Sequence, residues 1–489
     1  MHFTILDWTI ILIYLLGTLF AGLQGRKYIF GVSDFLVAGR ELGTFVSVGT
    51  LAATEIGTVT FMYYAELGYK TGFASFINGL IAGIVMLFIG RTGFVVRRLR
   101  ELRLMTMPEY FEARYSRNLR VLTGILVATG GILNMGVFLK VEGTFLVLIS
   151  GIPLDYLKEA MTAILLLELI YTVLGGMVSI VITDFIQYVA LSIATVLVTL
   201  YSIHVVGWGN MYDSVARSMG AQGFSPILNP EYGWTYIVFL SISSLAGNTC
   251  WQTIAMRTFS TRDPETSRKV FLWTGFIYLG RGMMPMLWGI AALAMLGPHL
   301  NSLEAMPMML SKILPAGILG LVVAGMLAAT MSVNSSYLLG WSSIVAQDIV
   351  LPLRREPLSS RAQVLLNRAT NIFVSLFVLF WGLWYKLPGP AYFYLTITAT
   401  IFLGGTFAAV IAGLYWKRAN ALGAYFAMIA GALGAVGFFF FHMSTGYAGI
   451  GSFGLAGLGM LVGSLLGKKG TSQPPGVRLE AAQSATTLG

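Results

Sequence analysis

Residues 49–61 read GTLAATEIGTVTF. They lie inside a long apolar segment, yet they carry a carboxyl group at Glu55, with Thr54, Gly57, Thr58 and Thr60 around it. Glycine has no side chain and threonine hydroxyls compete for backbone hydrogen bonds, so both weaken a helix. A helix that breaks here frees carbonyls and amides at membrane depth. Such a break is tolerated only where it faces protein or a water-filled cavity. Two readings are open. Either the helix is continuous and Glu55 is paired within a bundle, or it is discontinuous and lines a solute or ion site, as secondary transporters build them.

The rest of the chain sets this stretch in a membrane. Of 489 residues, 56% are hydrophobic and 11% charged, with a mean hydropathy of +0.77. Soluble domains carry about 25% charged residues. The composition therefore predicts an all-α polytopic membrane protein whose first partner is the lipid bilayer. The lone Cys250 excludes an internal disulfide framework, and the N-terminal MHFTILD lacks the basic region of a cleaved signal peptide.

A spanning helix needs roughly 20 apolar residues. Thirteen segments qualify, near 5–24, 43–68, 73–96, 119–149, 157–175, 179–206, 233–256, 268–297, 315–349, 364–387, 390–416, 421–443 and 448–466. An odd number places the termini on opposite sides. Alternate loops carry the basic residues: Arg26, Lys27 and Arg40; the run from Arg97 to Arg120; Arg257, Arg262, Arg268 and Lys269; Arg354 to Arg368; Lys417 and Arg418; and the tail. The opposite loops hold only Lys70, Lys158, Arg217, Lys312 and Lys386. By the positive-inside rule the N-terminus is outside and the C-terminus cytoplasmic, in a cell inner (plasma) membrane. The net charge of +10 is thus topological and implies no nucleic-acid partner. Residues 1–467 form one transmembrane domain with no obligate protein partner evident, and 468–489 form a disordered tail. MPEYFEARYS (107–116) reads as a short cytoplasmic helix with Pro108 in its first turn.

Ionisable groups at membrane depth are costly and point to function. Here they are Glu55, Glu66, Lys140, Glu142, Glu168, Asp184 and Arg281. A second polar cluster lies in GMLAATMSVNSSYLLG (325–340), where Ser332, Asn334, Ser335 and Ser336 fall within one and a half turns. Such residues serve tight helix contacts, or they supply the hard oxygens that small cations prefer. The four histidines do not cluster with acidic residues at ligand spacing, and no phosphate-binding glycine loop is evident, which argues against a metalloenzyme and against an ATP-driven pump.

Four stretches in order, DFLVAGRELG (34–43), YTVLGGMVSIVITDFIQ (171–187), LPAGILGLVVAGMLAATMSVNSS (314–336) and GLYWKRANALGAY (413–425), resemble the sodium:solute symporter family. The resemblance implies a LeuT-type core of two inverted repeats of five helices, about 43–206 and 233–416, with one helix before and two after. It implies a principal sodium site built from the carbonyls of Ala53 and Ile56, with Ala329 and the hydroxyl of Ser332. The family usually has a second hydroxyl residue next; here it is Val333. Some members have a second sodium site, whose aspartate and serines correspond to Asp184, Ser335 and Ser336.

On this frame Glu55, Thr58 and Thr60 would face the solute cavity, joined by Asn248, Trp251 and Gln252 from GNTCWQ (247–252). Trp251 is also readable as an interfacial anchor. The expected function is symport of a small polar organic solute coupled to Na+. Proton coupling with Glu55 as the titrating group is an alternative, as is a non-transporting solute sensor on the same scaffold.

Overall fold

A computed structural model describes residues 3–55, 57–385 and 391–468. The long helices, in chain order, are α1 (Ile5–Gln24), α2 (Thr44–Thr54), α3 (Thr58–Thr71), α4 (Ile77–Thr92), α5 (Arg117–Ser150), α6 (Leu157–Val206), α7 (Gly233–Cys250) and α8 (Gln252–Ser260). They continue as α9 (Pro264–Arg281), α10 (Met284–Leu296), α11 (Ile318–Ile344), α12 (Ser360–Trp384), α13 (Ala391–Tyr415), α14 (Ala421–Phe441) and α15 (Thr445–Leu466). Helix lies over all thirteen apolar segments. Nine helical stretches among the described residues are long and apolar enough to cross a membrane. Tail residues 469–489 and Lys386 fall outside the described residues.

Nearly every residue of α11 is buried, which makes it the axis of the fold. It packs on α1, α5, α6 and α12, with α2 and α3 crossing it. Large apolar side chains such as Ile13, Phe20, Phe373, Phe380 and Leu458 point outward from α1, α12 and α15. In water such a surface would drive association; in a bilayer it is the lipid contact. Asp7, fully buried, accepts from the amides of Gly317 and Gly320 at 2.8 and 2.7 Å and so fastens α1 to the start of α11.

Three breaks shape the core. The first separates α2 from α3 around Glu55 and Gly57. Gly57 is extended at φ −90°, ψ 176°, so the helix cannot continue through it. The second separates α7 from α8 at Trp251, which is extended at φ −67°, ψ 131°. This break was not anticipated, since 233–256 reads as one span. The third is at Gly176 inside the stretch labelled α6, with φ 48°, ψ −142°; there the helices expected at 157–175 and 179–206 meet as two arms with almost no loop between them.

At the end of the bundle that carries the basic loops, the short helix is Glu109–Arg114, with Pro108 just ahead of it rather than inside its first turn. Here the chain entering α2 is fastened to the chain leaving α8. Leu42 donates its amide to the Ser260 carbonyl at 3.1 Å and accepts from the Arg262 amide at 3.0 Å. Arg100 donates to the carbonyls of Thr261 and Arg262 at 2.5 and 3.2 Å. Among the described residues this is the only β-bridge.

Candidate functional site

The two half-helix breaks meet. Glu55 ends α2, and its Oε1 accepts from the Thr253 hydroxyl at 3.2 Å. Thr253 lies in the first turn of α8, where unsatisfied amides and the helix dipole favour a negative group. The opposite need arises at the end of α2, whose last carbonyls have lost their helical donors. Arg281 answers it, donating from Nη1 to the Ala52 carbonyl at 3.0 Å while lying over the Tyr188 ring. Arg281 is therefore the cap of a broken helix and has no carboxylate partner among the described residues.

Gly57 is required because α11 passes close by. A Cβ at Gly57 would lie 2.5 Å from Val333 Cγ2 and 3.6 Å from the Ala329 carbonyl oxygen. Thr58, fully buried, donates to the Met326 carbonyl at 2.6 Å and accepts from Thr330 at 2.9 Å. The first break is thus clamped to α11, and the Thr58 hydroxyl is spent on that clamp rather than offered to a cavity. Ala53 is buried one turn before the break; Ile56 lies outside the described residues.

Behind the break lies a buried ion cluster. Asp184, on the second arm of α6, accepts at Oδ1 from Ser332 at 2.6 Å. At Oδ2 it accepts from Thr50 and from Arg257 Nη2, the latter at 2.9 Å. The same Nη2 lies 2.7 Å from Thr54 Oγ1 and 2.5 Å from Ser336 Oγ. Arg257 is 1% exposed and Asp184 0%. Arg257 thus corrects the reading that gave it to a cytoplasmic loop: it is the core partner of Asp184. Ser335 donates to the Ser332 carbonyl at 3.2 Å instead of joining the carboxylate. Thr50 and Arg257 are functional candidates that sequence reasoning missed. Hydropathy ends the span at residue 256, and one polar residue past an apolar run looks like a loop. The usable signal was that an aspartate at membrane depth demands a cation.

The expected solute residues divide. Trp251 occupies the second break, donates to the Tyr337 hydroxyl at 3.0 Å and packs against Trp341 and Phe402 with ring centroids 5.6 and 5.5 Å apart. It therefore sits within the bundle, with α8 continuing beyond it. Thr60 is half-buried in the first turn of α3. Asn248 bonds back to the Ser244 carbonyl at 2.9 Å. Gln252 is fully buried and accepts from the Met107 amide at 2.9 Å, so its amide head holds the neighbouring basic-end loop.

The other membrane-depth charges have local partners or none. Glu66 pairs with Lys70 at 2.8 Å and accepts from Ser302. Glu142 and Glu168, both buried, share the Asn334 amide at 2.7 and 3.4 Å. Lys140 makes no ion pair among the described residues.

Two facing helix breaks, clamped to a buried central helix beside an ion cluster, define a secondary transporter of the LeuT-type fold. Residues 35–431 match the sodium:solute symporter family, and the chain belongs to that family. It is a small-solute symporter and not an enzyme. It is 24% identical over 426 residues to a sodium/glucose cotransporter of Vibrio parahaemolyticus, covering 81% of this chain and 77% of that one. It is 25% identical over 457 residues to a sodium/proline symporter of Staphylococcus aureus, covering 87% and 84%. Its fold matches a Na+-coupled sialic acid symporter, solved substrate-bound and outward-open, with a TM-score of 0.84 over 96% of this chain and 100% of that one at 20% identity.

Proposed function

We propose that the protein carries a small polar organic solute inward together with Na+. The cation is taken at the first break, by the carbonyls of Ala53, Ile56 and Ala329 and the hydroxyl of Ser332. The observation that carries this reading is the close approach of Gly57 to Ala329 and Val333, which brings α11 against the broken helix. Ser332 donates its hydroxyl hydrogen bond to Asp184, so its oxygen lone pairs remain for a cation. Glu55, Thr60 and Trp251 line the solute side between the two breaks. The N-terminus is outside and the basic end of the bundle faces the cytoplasm. The two core repeats span about 43–206 and 233–416. Cation and solute couple because each stabilises the conformation that the other prefers.

Thermal unfolding of purified protein in NaCl against choline chloride tests the cation without knowledge of the solute, since a ligand that binds the folded state raises its apparent stability. Sodium is expected to raise the midpoint. Ser332→Ala should increase the half-saturating sodium concentration about tenfold, the loss expected from one hydrogen-bonding group. Val333→Ser, which restores an oxygen, should lower it several-fold. Proton coupling predicts a different pattern: no sodium-dependent shift, and uptake into vesicles driven by a pH gradient and abolished by Glu55→Gln. Sodium-driven uptake that survives Glu55→Gln sinks that alternative.

A further inference from the structure

The residues expected to form a second sodium site do not present one. Thr54 Oγ1, Ser336 Oγ and Asp184 Oδ2 converge on a single point, and that point is the Nη2 atom of Arg257, at 2.7, 2.5 and 2.9 Å. All four side chains are buried. One carboxylate charge therefore meets one guanidinium charge in a cluster closed to water. A sodium ion placed among the same oxygens would stand at contact distance from a like charge in a low-dielectric interior, an arrangement that strongly disfavours both. Arginine holds its charge at any physiological pH, so the cluster cannot be cleared by deprotonation.

We propose that Arg257 is the resident cation of the Asp184 cluster, a permanent substitute for a second sodium ion, so that the chain takes one fewer Na+ than its oxygen donors would allow. The proposal deepens the sodium-coupled reading above and rests on it for the first ion only. Arg257 reaches the cluster from α8, whereas Asp184 and Ser336 belong to α6 and α11. The bound charge is therefore carried by a half-helix of the chain itself. Removing the guanidinium should leave an oxygen-lined, negatively charged vacancy of a size and chemistry that suit an alkali cation.

Equilibrium binding of radioactive sodium to the purified full-length protein counts the ions directly. The signature is a gain of one Na+ per chain in Arg257→Gln over wild type, from about one to about two at saturation. Guanidinium ion added at millimolar concentration should displace that extra sodium from Arg257→Gln and leave wild type unaffected, a response that a purely structural arginine would not give. Should Arg257→Gln be too unstable to purify, Arg257→Lys and the wild-type count carry the test. Lysine keeps the charge and is expected to keep the lower count. Two sodium ions in wild type overturn the proposal, as does an unchanged count in Arg257→Gln. A wild-type count of zero rejects sodium coupling at the first break; even then, a gain from none to one in Arg257→Gln supports the role of Arg257.

Discussion

Asp184→Asn is expected to destabilise the protein by about 3–5 kcal/mol, the cost of leaving a buried charge without its partner. Arg257 is the charge left behind. Its Nε and Nη1 already lack partners among the described residues, so the ion pair through Nη2 is its main compensation. The same substitution also removes the charge that fixes the Ser332 hydroxyl at 2.6 Å, and sodium-dependent stabilisation should fall with it. Thermal unfolding in sodium and in choline separates the two effects. The double variant Asp184→Asn with Arg257→Met should recover much of the lost stability, because it removes both charges together. If Asp184→Asn unfolds at the wild-type temperature, Asp184 is not the compensating contact of Arg257.

Gly176→Ala is expected to be comparably damaging, for a backbone reason. At φ 48°, ψ −142° the kink of α6 occupies a region that only glycine visits cheaply; forcing another residue there costs about 1–3 kcal/mol. A Cβ would also stand 2.5 Å from the Phe35 carbonyl oxygen, which is main chain and cannot turn aside, and overpacking of this kind adds about 1–3 kcal/mol. Gly280→Ala is the control. It lies in α9 with nothing within 4 Å of its Cβ position, so its unfolding midpoint should match wild type or exceed it slightly. Equal behaviour of the two variants would refute the assignment of strain to the kink.

Much of this architecture was legible in the residues, because lipid imposes a coarse and reliable code. The apolar runs located the helices, and Glu55 with Gly57 and three threonines marked the first break. The second break was not legible. Trp251 has no proline or glycine beside it, and its extended conformation depends on packing against Tyr337, Trp341 and Phe402, which are 86 or more residues away in the chain. Arg257 was missed for a related reason: a charge at the edge of an apolar run looks the same whether it ends in water or folds back onto an aspartate 73 positions earlier. Thr58 and Gln252 have the right chemistry for a solute site, but each is already committed to main-chain atoms of another segment. Sequence announces which groups can bind; only the fold says which have been used.

The pairing of Leu42 with Ser260 and Arg262, reinforced by Arg100, reduces the number of independent moving parts. Had α2 and α8 been free of each other, each could tilt alone and open a leak past its own break. Joined at their basic ends, they are tied to tilt together. A tilt of α2 at the first break must then also carry Arg257 and Trp251 at the second.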